Sequence, residues 1–249
     1  MLDRLEMAAQ SMVTRMAELD AVANNLANIS TKGFKRETLF LNELQRKLAG
    51  KGAAGTSAGT HVPELGAVID FSQGPMVGTG QPLDVAISGP GLFVVETPQG
   101  EAYTRDGRFT INADGILTTL DGLPVLGQGG PIELNLQQNS VSQLVINDTG
   151  EVVLDGNVVD RLKIVAVEAP EDFRRVGGNL FEPADPTKTP NEAEGVTVRQ
   201  GFLEDSNVNP VEEMTMMIEI LHAFRTSEKM IQAQDTLLGR AVNDIGRAR

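Results

Sequence analysis

Near the start of the chain, apolar residues fall at Leu2, Leu5, Ala9, Met12, Met16, Leu19, Ala23 and Leu26, in alternating steps of three and four. This spacing predicts one helix with a heptad seam, which packs along another helix rather than onto a broad core. The run Asn24-Asn25-Leu26-Ala27-Asn28-Ile29-Ser30-Thr31-Lys32-Gly33 follows. Its asparagine, serine and threonine side chains compete for backbone hydrogen bonds, and Gly33 can take a positive φ, so the helix should stop between Asn28 and Gly33. A second seam lies at the far end, where Met217, Phe224, Ile231, Leu238 and Ile245 recur every seven residues, with Met214, Leu221 and Val242 in the other seam position. Glu228 and Asp235 interrupt it. The two seams are expected to partner each other; the alternative is a pair of amphipathic helices packed on an ordinary domain.

Between the seams the pattern changes. Leu39, Phe40, Leu41, Leu44 and Leu48 suggest a short further helix, and residues 50–59, rich in glycine and without a bulky apolar side chain, read as a linker. Residues 62–77 mix short apolar groups with proline and glycine and read as extended chain with few long strands. From Leu83 the period drops to two. Leu83-Asp84-Val85-Ala86-Ile87 alternates, and Leu92-Phe93-Val94-Val95 is a buried strand by length and branching. Asp-Gly pairs at Asp106, Asp114, Asp121 and Asp155 supply the positive φ values of tight hairpins. Further strands are expected at 141–147, 151–154 and 162–167. The fold class is therefore α+β: N- and C-terminal heptad helices forming a coiled-coil-like domain, with an inserted antiparallel all-β domain. The expected divisions are 1–36, helix and signature; 37–80, extended linker; 81–200, β domain; and 201–249, C-terminal helix.

Composition narrows the function. A net charge of −13 argues against nucleic-acid binding, which needs clustered lysine and arginine. The absence of tryptophan, the single tyrosine and the 26 glycines suit turns and strands better than an aromatic-lined ligand pocket. There is no cysteine, which excludes a disulfide scaffold, a thiolate metal site and a cysteine nucleophile. The first residues lack a secretory signal pattern, and no run of about eighteen apolar residues predicts membrane insertion. Gly78-Thr79-Gly80 and Gly89-Pro90-Gly91 lack the strand-to-helix context of a phosphate loop. His61 and His222 have no partner at metal-ligand spacing. The acidic residue of Tyr103-Thr104-Arg105-Asp106-Gly107 reads as a turn former. No catalytic, cofactor or metal site is expected. Lys32, Lys35 and Arg36 form a small basic cluster, either solvated at the helix end or touching an acidic neighbouring subunit.

Three stretches together resemble one family. Asn24 to Asn28 with Thr31-Lys32-Gly33-Phe34-Lys35-Arg36 resembles the N-terminal signature of bacterial flagellar rod and hook proteins. Pro82-Leu83-Asp84-Val85-Ala86-Ile87, continuing to Phe93, and Tyr103-Thr104-Arg105-Asp106-Gly107-Arg108-Phe109 resemble their central domain. Leu203-Glu204-Asp205-Ser206-Asn207-Val208-Asn209-Pro210-Val211-Glu212-Glu213-Met214 resembles their C-terminal signature. The resemblance implies a structural subunit of the basal-body rod, exported without a cleaved signal by the flagellar type III apparatus and polymerised in the periplasm with copies of itself and other rod proteins. It implies an axial role for the helices, with Leu5, Met12, Met16, Leu19, Leu26, Phe34, Met217, Leu221, Phe224, Ile231, Leu238 and Ile245 at subunit interfaces. Within the family, Pro82 to Ala86, Leu123 to Ile132 and Asn209 to Glu212 look most like the proximal-rod branch, while Tyr103 to Phe109 and Gly201 to Glu204 also suit the distal-rod branch. A phage-tail or adhesin-like fibre would share helices and a β domain but not the three signatures, and an enzyme would need a cleft with perturbed ionisable groups.

Overall fold

The computed structural model describes residues 2–41, 65–134, 144–185, 187–193 and 195–247. The chain forms two compact units, one of Met1–Leu26, Glu37–Ala67 and Asn209–Arg249, the other of Ala27–Arg36 and Val68–Val208. It is a mixed α+β protein with antiparallel sheets.

In the first unit, α1 spans Leu2–Ala27 and α2 spans Pro210–Arg247. Neither proline nor glycine interrupts α1, and its leucine, methionine, alanine and glutamate are good helix formers. It ends where the asparagines and Gly33 predict: Thr31 N donates to Asn28 O at 3.0 Å, and Gly33 takes φ +68°. The start of α2 is capped by Asn209, whose Oδ1 accepts from Val211 N at 3.1 Å. Pro210 stands at the first helical position, where its missing N–H costs nothing, and Glu212 and Glu213 face the positive end of the helix dipole. At 1.5 Å per residue α2 is about 57 Å long.

The short helix expected after Arg36 is instead a strand, β1 (Glu37–Leu41), paired with β2 (Leu65–Ile69). The side chain of Asn25 explains why. Its Oδ1 accepts from Glu37 N at 3.0 Å and its Nδ2 donates to Glu37 O at 2.8 Å, so one amide occupies both backbone groups as a neighbouring strand would. An extended Glu37 then leads a β-prone Thr-Leu-Phe run into pairing. Leu44, Leu48 and the glycine-rich stretch 50–59 lie outside the described residues.

The second unit holds β3 (Met76–Gly78), β4 (Val85–Ser88), β5 (Leu92–Thr97), β6 (Gly100–Thr104), β7 (Phe109–Ile111), β8 (Leu117–Thr119), β9 (Leu144–Ile146), β10 (Glu151–Leu154), β11 (Asn157–Arg161), β12 (Ile164–Val165), β13 (Phe173–Gly177), β14 (Leu180–Pro183), β15 (Thr197–Gln200) and β16 (Phe202–Glu204). A five-stranded sheet runs β12-β5-β6-β14-β13 and a three-stranded sheet β11-β10-β9, with pairs β15-β4, β16-β3 and β7-β8. The unbroken apolar run of β5 has a simple cause, burial on both faces. Phe93 and Val95 enter one core with Phe109, Leu117 and Val152, while Leu92 and Val94 enter a second with Tyr103, Phe173 and Phe181.

Asp155-Gly156 makes the expected two-residue hairpin between β10 and β11, with φ of 51° and 79° and Leu154 opposite Asn157. Asp114-Gly115 lies in the β7–β8 loop and Asp121-Gly122 in the turn after β8, with Gly115 and Gly122 at positive φ. Asp106-Gly107 departs from the expectation. It joins β6 to β7, which belong to different sheets. Asp106 folds back on its neighbour, accepting from Arg108 Nη2 at 2.6 Å. Gly107 is instead needed for a close backbone crossing, since a Cβ there would lie 1.6 Å from Val85 O.

Candidate assembly site

The three signature stretches meet at one buried ionic centre within the second unit. Glu204, 3 % exposed at the end of β16, accepts from two cations. Lys35 Nζ donates to Oε1 at 2.6 Å and Arg105 Nε donates to Oε2 at 2.6 Å. Gly74 N adds a third bond to Oε1 at 2.8 Å. The remaining donors of the cations go to backbone carbonyls: Lys35 Nζ to Ser72 O at 2.6 Å, Arg105 Nη2 to Ile87 O and Gly89 O at 2.8 Å each, and Arg105 Nη1 to Gly91 O. Two cations and one anion are thus taken out of water with their donors nearly all used, the condition under which buried charge is tolerated.

The loop carrying Lys35 is held along its length. Gly33 N donates to Glu204 O at 2.8 Å, Arg36 N to Asn207 Oδ1 at 2.7 Å, and Asp70 N to Arg36 O at 2.8 Å. Asn179 Nδ2 donates to Lys32 O at 2.8 Å, and an Arg175 guanidinium N–H donates to Lys35 O. Gly33 is required twice over, because its φ is +68° and a Cβ would meet the Arg105 carbonyl carbon at 2.5 Å. The expected roles of the basic cluster fail for Lys35, which is buried against Glu204 inside the chain, whereas Lys32 pairs with Asp205 and stays 29 % exposed. The apolar periodicity missed Arg105, Glu204 and Asn207. Their only trace in the sequence is that each sits inside a signature stretch, where resemblance marks a position without giving its partner.

Burial pushes the Lys35 ammonium below its ordinary value, with Glu204 opposing the shift and Arg105 adding to it. An unfolded chain keeps this proton up to about pH 10.4, whereas the folded chain releases it earlier. Between those values the unfolded state binds more protons, so this group makes stability rise with pH. Buried Tyr103, whose pKa is raised by burial, contributes the opposite slope, so the Lys35 effect is read as a difference: in urea titrations across the alkaline range wild type should gain stability with pH relative to Lys35→Met. An identical profile in the variant would mean that the lysine is not buried.

The expected interface residues separate into groups. On α1, Thr14, Val22 and Asn25 are buried, whereas Met16 is 60 % exposed and Met12, Leu19 and Leu26 are half-buried. At 3.6 residues per turn, the heptad seam lies roughly a third of a turn from the buried face. Asn25 and Glu213, each 1 % exposed, join the end of α1 to the start of α2 through an Nδ2 to Oε2 bond of 3.3 Å. On α2, Met217, Phe224 and Ile231 are half-buried beside buried Ile220. Leu221 belongs to a second stripe, Val211, Met214, Ile218 and Leu221, that is exposed along its length. Phe34 is 2 % exposed beneath the Arg175 guanidinium, 4.2 Å from its ring centre, and so offers no side-chain surface to a neighbour in this conformation. Leu5, Leu238 and Ile245 fall within the helices, with side chains outside the described residues. His222 is exposed, and His61 lies outside the described residues.

Three family models match, in chain order. "Flagella basal body rod protein" covers residues 5–35, "Flagellar hook protein FlgE/F/G D1 domain" residues 86–154, and "Flagellar basal body rod FlgEFG protein C-terminal" residues 199–244. The chain is 39 % identical over 94 % of both chains to a flagellar basal-body rod protein FlgF of Caulobacter vibrioides, and 31 % identical over 98 % of both to a FlgF of Rhizobium meliloti. A flagellar basal-body rod protein FlgG of Bacillus subtilis is 33 % identical over 98 % of this chain and 99 % of its own length. The ionic centre therefore draws on all three matched segments or their immediate borders, and the chain belongs to the flagellar basal-body rod protein family.

Proposed function

We propose that this protein is a structural subunit of the flagellar basal-body rod, of the proximal FlgF-like kind, built into the rod through its terminal helices and passing torque from motor to hook. The observation that carries this reading is the apolar helix surface left exposed among the described residues, with Val13 57 %, Met16 60 %, Met214 50 % and Ile218 55 % exposed. Exposed apolar stripes of this kind favour association, at about 25 cal/mol per Å² of surface removed from water. A head-to-tail contact between such stripes need not close into a ring, and so extends as a helical assembly. The 39 % identity to a FlgF over nearly the whole chain supports the proximal assignment, while the 33 % identity to a FlgG keeps a distal position as the second reading. Export by the flagellar type III apparatus and assembly in the periplasm complete the proposal.

Met16→Glu tests it. The side chain is exposed, so the isolated variant should fold with wild-type stability, yet a carboxylate in an apolar seam would have to be buried unpaired on assembly. Cells carrying it are expected to make the protein, lack complete rods and be non-motile. Normal motility would exclude the α1 seam from the interface. Complementation of strains lacking the proximal or the distal rod subunit separates the two positions.

A further inference from the structure

We propose that the Lys35–Glu204–Arg105 centre, with Asn207, is a mechanical clasp that receives load from the two terminal helices and spreads it into the β-rich unit. Three segments adjoining the ends of that unit are cross-linked here. Residues 33–36, which follow α1, bond to residues 204–207, which precede α2, through Gly33 N to Glu204 O at 2.8 Å, Asn207 N to Phe34 O at 3.4 Å and Arg36 N to Asn207 Oδ1 at 2.7 Å. Residues 70–72 join them through Asp70 N to Arg36 O and Lys35 Nζ to Ser72 O, and Asn207 Nδ2 donates to both Asp70 O (2.8 Å) and Ser72 O (3.1 Å).

The direction of the segments matters. Gly33 pairs with Glu204 and Arg36 with Asn207, so the two run side by side in the same sense. Tension arriving along α1 pulls on the residue 33 end, and tension along α2 pulls on the residue 207 end. Opposite ends of neighbouring parallel segments are then drawn apart, which loads their bonds together instead of opening them one after another. The ion pairs lie across this line of shear: Lys35 is on one segment, Glu204 on the other, and Arg105 ties Glu204 to the carbonyls of Ile87, Gly89 and Gly91 in the body of the unit. Burial keeps water from competing for these bonds while they are strained, since both side chains of the Lys35–Glu204 pair are 1 % exposed.

The importance of the clasp in the cell rests on the rod reading, whereas its resistance to force is a property of the isolated chain, so the two fail separately. The chain has no cysteine, which allows unique attachment points for single-molecule pulling. Full-length protein held at Leu2→Cys and Arg247→Cys should show a distinct high-force rupture. Glu204→Gln, which keeps the side-chain shape and removes the charge, should abolish that event in this geometry. The same variant held at Gln99→Cys and Asn157→Cys, two exposed positions of the β-rich unit, should rupture at the wild-type force. If Glu204→Gln does not fold, Asn207→Ala serves as the second variant with the same expectation. Equal weakening in both geometries would reduce the centre to ordinary core stability, and an unchanged rupture with terminal handles would remove it from the load path; either result overturns the proposal.

Discussion

Glu204→Ala is expected to destabilise the β-rich unit by about 3–5 kcal/mol, the usual cost of deleting one partner of a buried ion pair. The reason is what remains, not what is removed. Arg105, 3 % exposed, would keep its charge without its carboxylate partner, Lys35, 1 % exposed, would either stay charged in a dry site or lose its proton, and Gly74 N would lose its acceptor. A domain of this size has about 5–15 kcal/mol in total, so the loss is a large share of it. Tyr103, the single tyrosine, is buried in the second core and reports unfolding of this unit by its fluorescence without interference from tryptophan. Urea midpoints followed at Tyr103 give the measurement. Lys35→Met combined with Glu204→Gln should cost less than Glu204→Ala alone, because it withdraws a cation together with the anion. A loss below about 1 kcal/mol for Glu204→Ala would place these side chains in water, where ion pairs contribute little.

Gly107→Ala should be comparably severe for a purely steric reason. The new Cβ would stand 1.6 Å from Val85 O and 2.7 Å from the Val85 carbonyl carbon, and backbone atoms cannot rotate away as a side chain can. Relief requires β4 to retreat, which breaks the 3.0 Å bond from Val85 N to Gly107 O and shifts Val85 and Ile87 in the core. Overpacking commonly costs about 1–3 kcal/mol, occasionally more, and the lost hydrogen bond about 1 kcal/mol further. Tyr103 fluorescence and thermal melting should both report a loss of about 3 kcal/mol or more, and expression will drop in step. Gly239→Ala in α2 is the contrasting control: no atom lies within 4 Å of its Cβ position, and alanine is favoured over glycine in a helix by up to about 1 kcal/mol. Wild-type stability for Gly107→Ala would mean that the crossing of β4 by this loop is not formed.

Wherever a few neighbouring residues decide the conformation, the sequence by itself was sufficient. The end of α1 followed from Asn28, Thr31 and Gly33; the β10–β11 hairpin from Asp155-Gly156; and β5 from its length and branched side chains. Those features depend on local backbone preferences, which a reader of the chain can evaluate residue by residue. The three signatures also identified the family, since several long matches in fixed order rarely arise together. The tertiary structure decided everything that needs a partner distant in sequence. The amide of Asn25 turned an expected helix at Glu37 into a strand, and Val85 O changed the meaning of Asp106-Gly107 from hairpin turn to close crossing. Lys35 shows the limit most clearly. In the sequence it is one of three basic residues at a helix end, and its charge predicts solvent. Its burial becomes tolerable only when Glu204, 169 positions away, arrives to offset part of the cost of leaving water, and that pairing depends on geometry that no local pattern encodes.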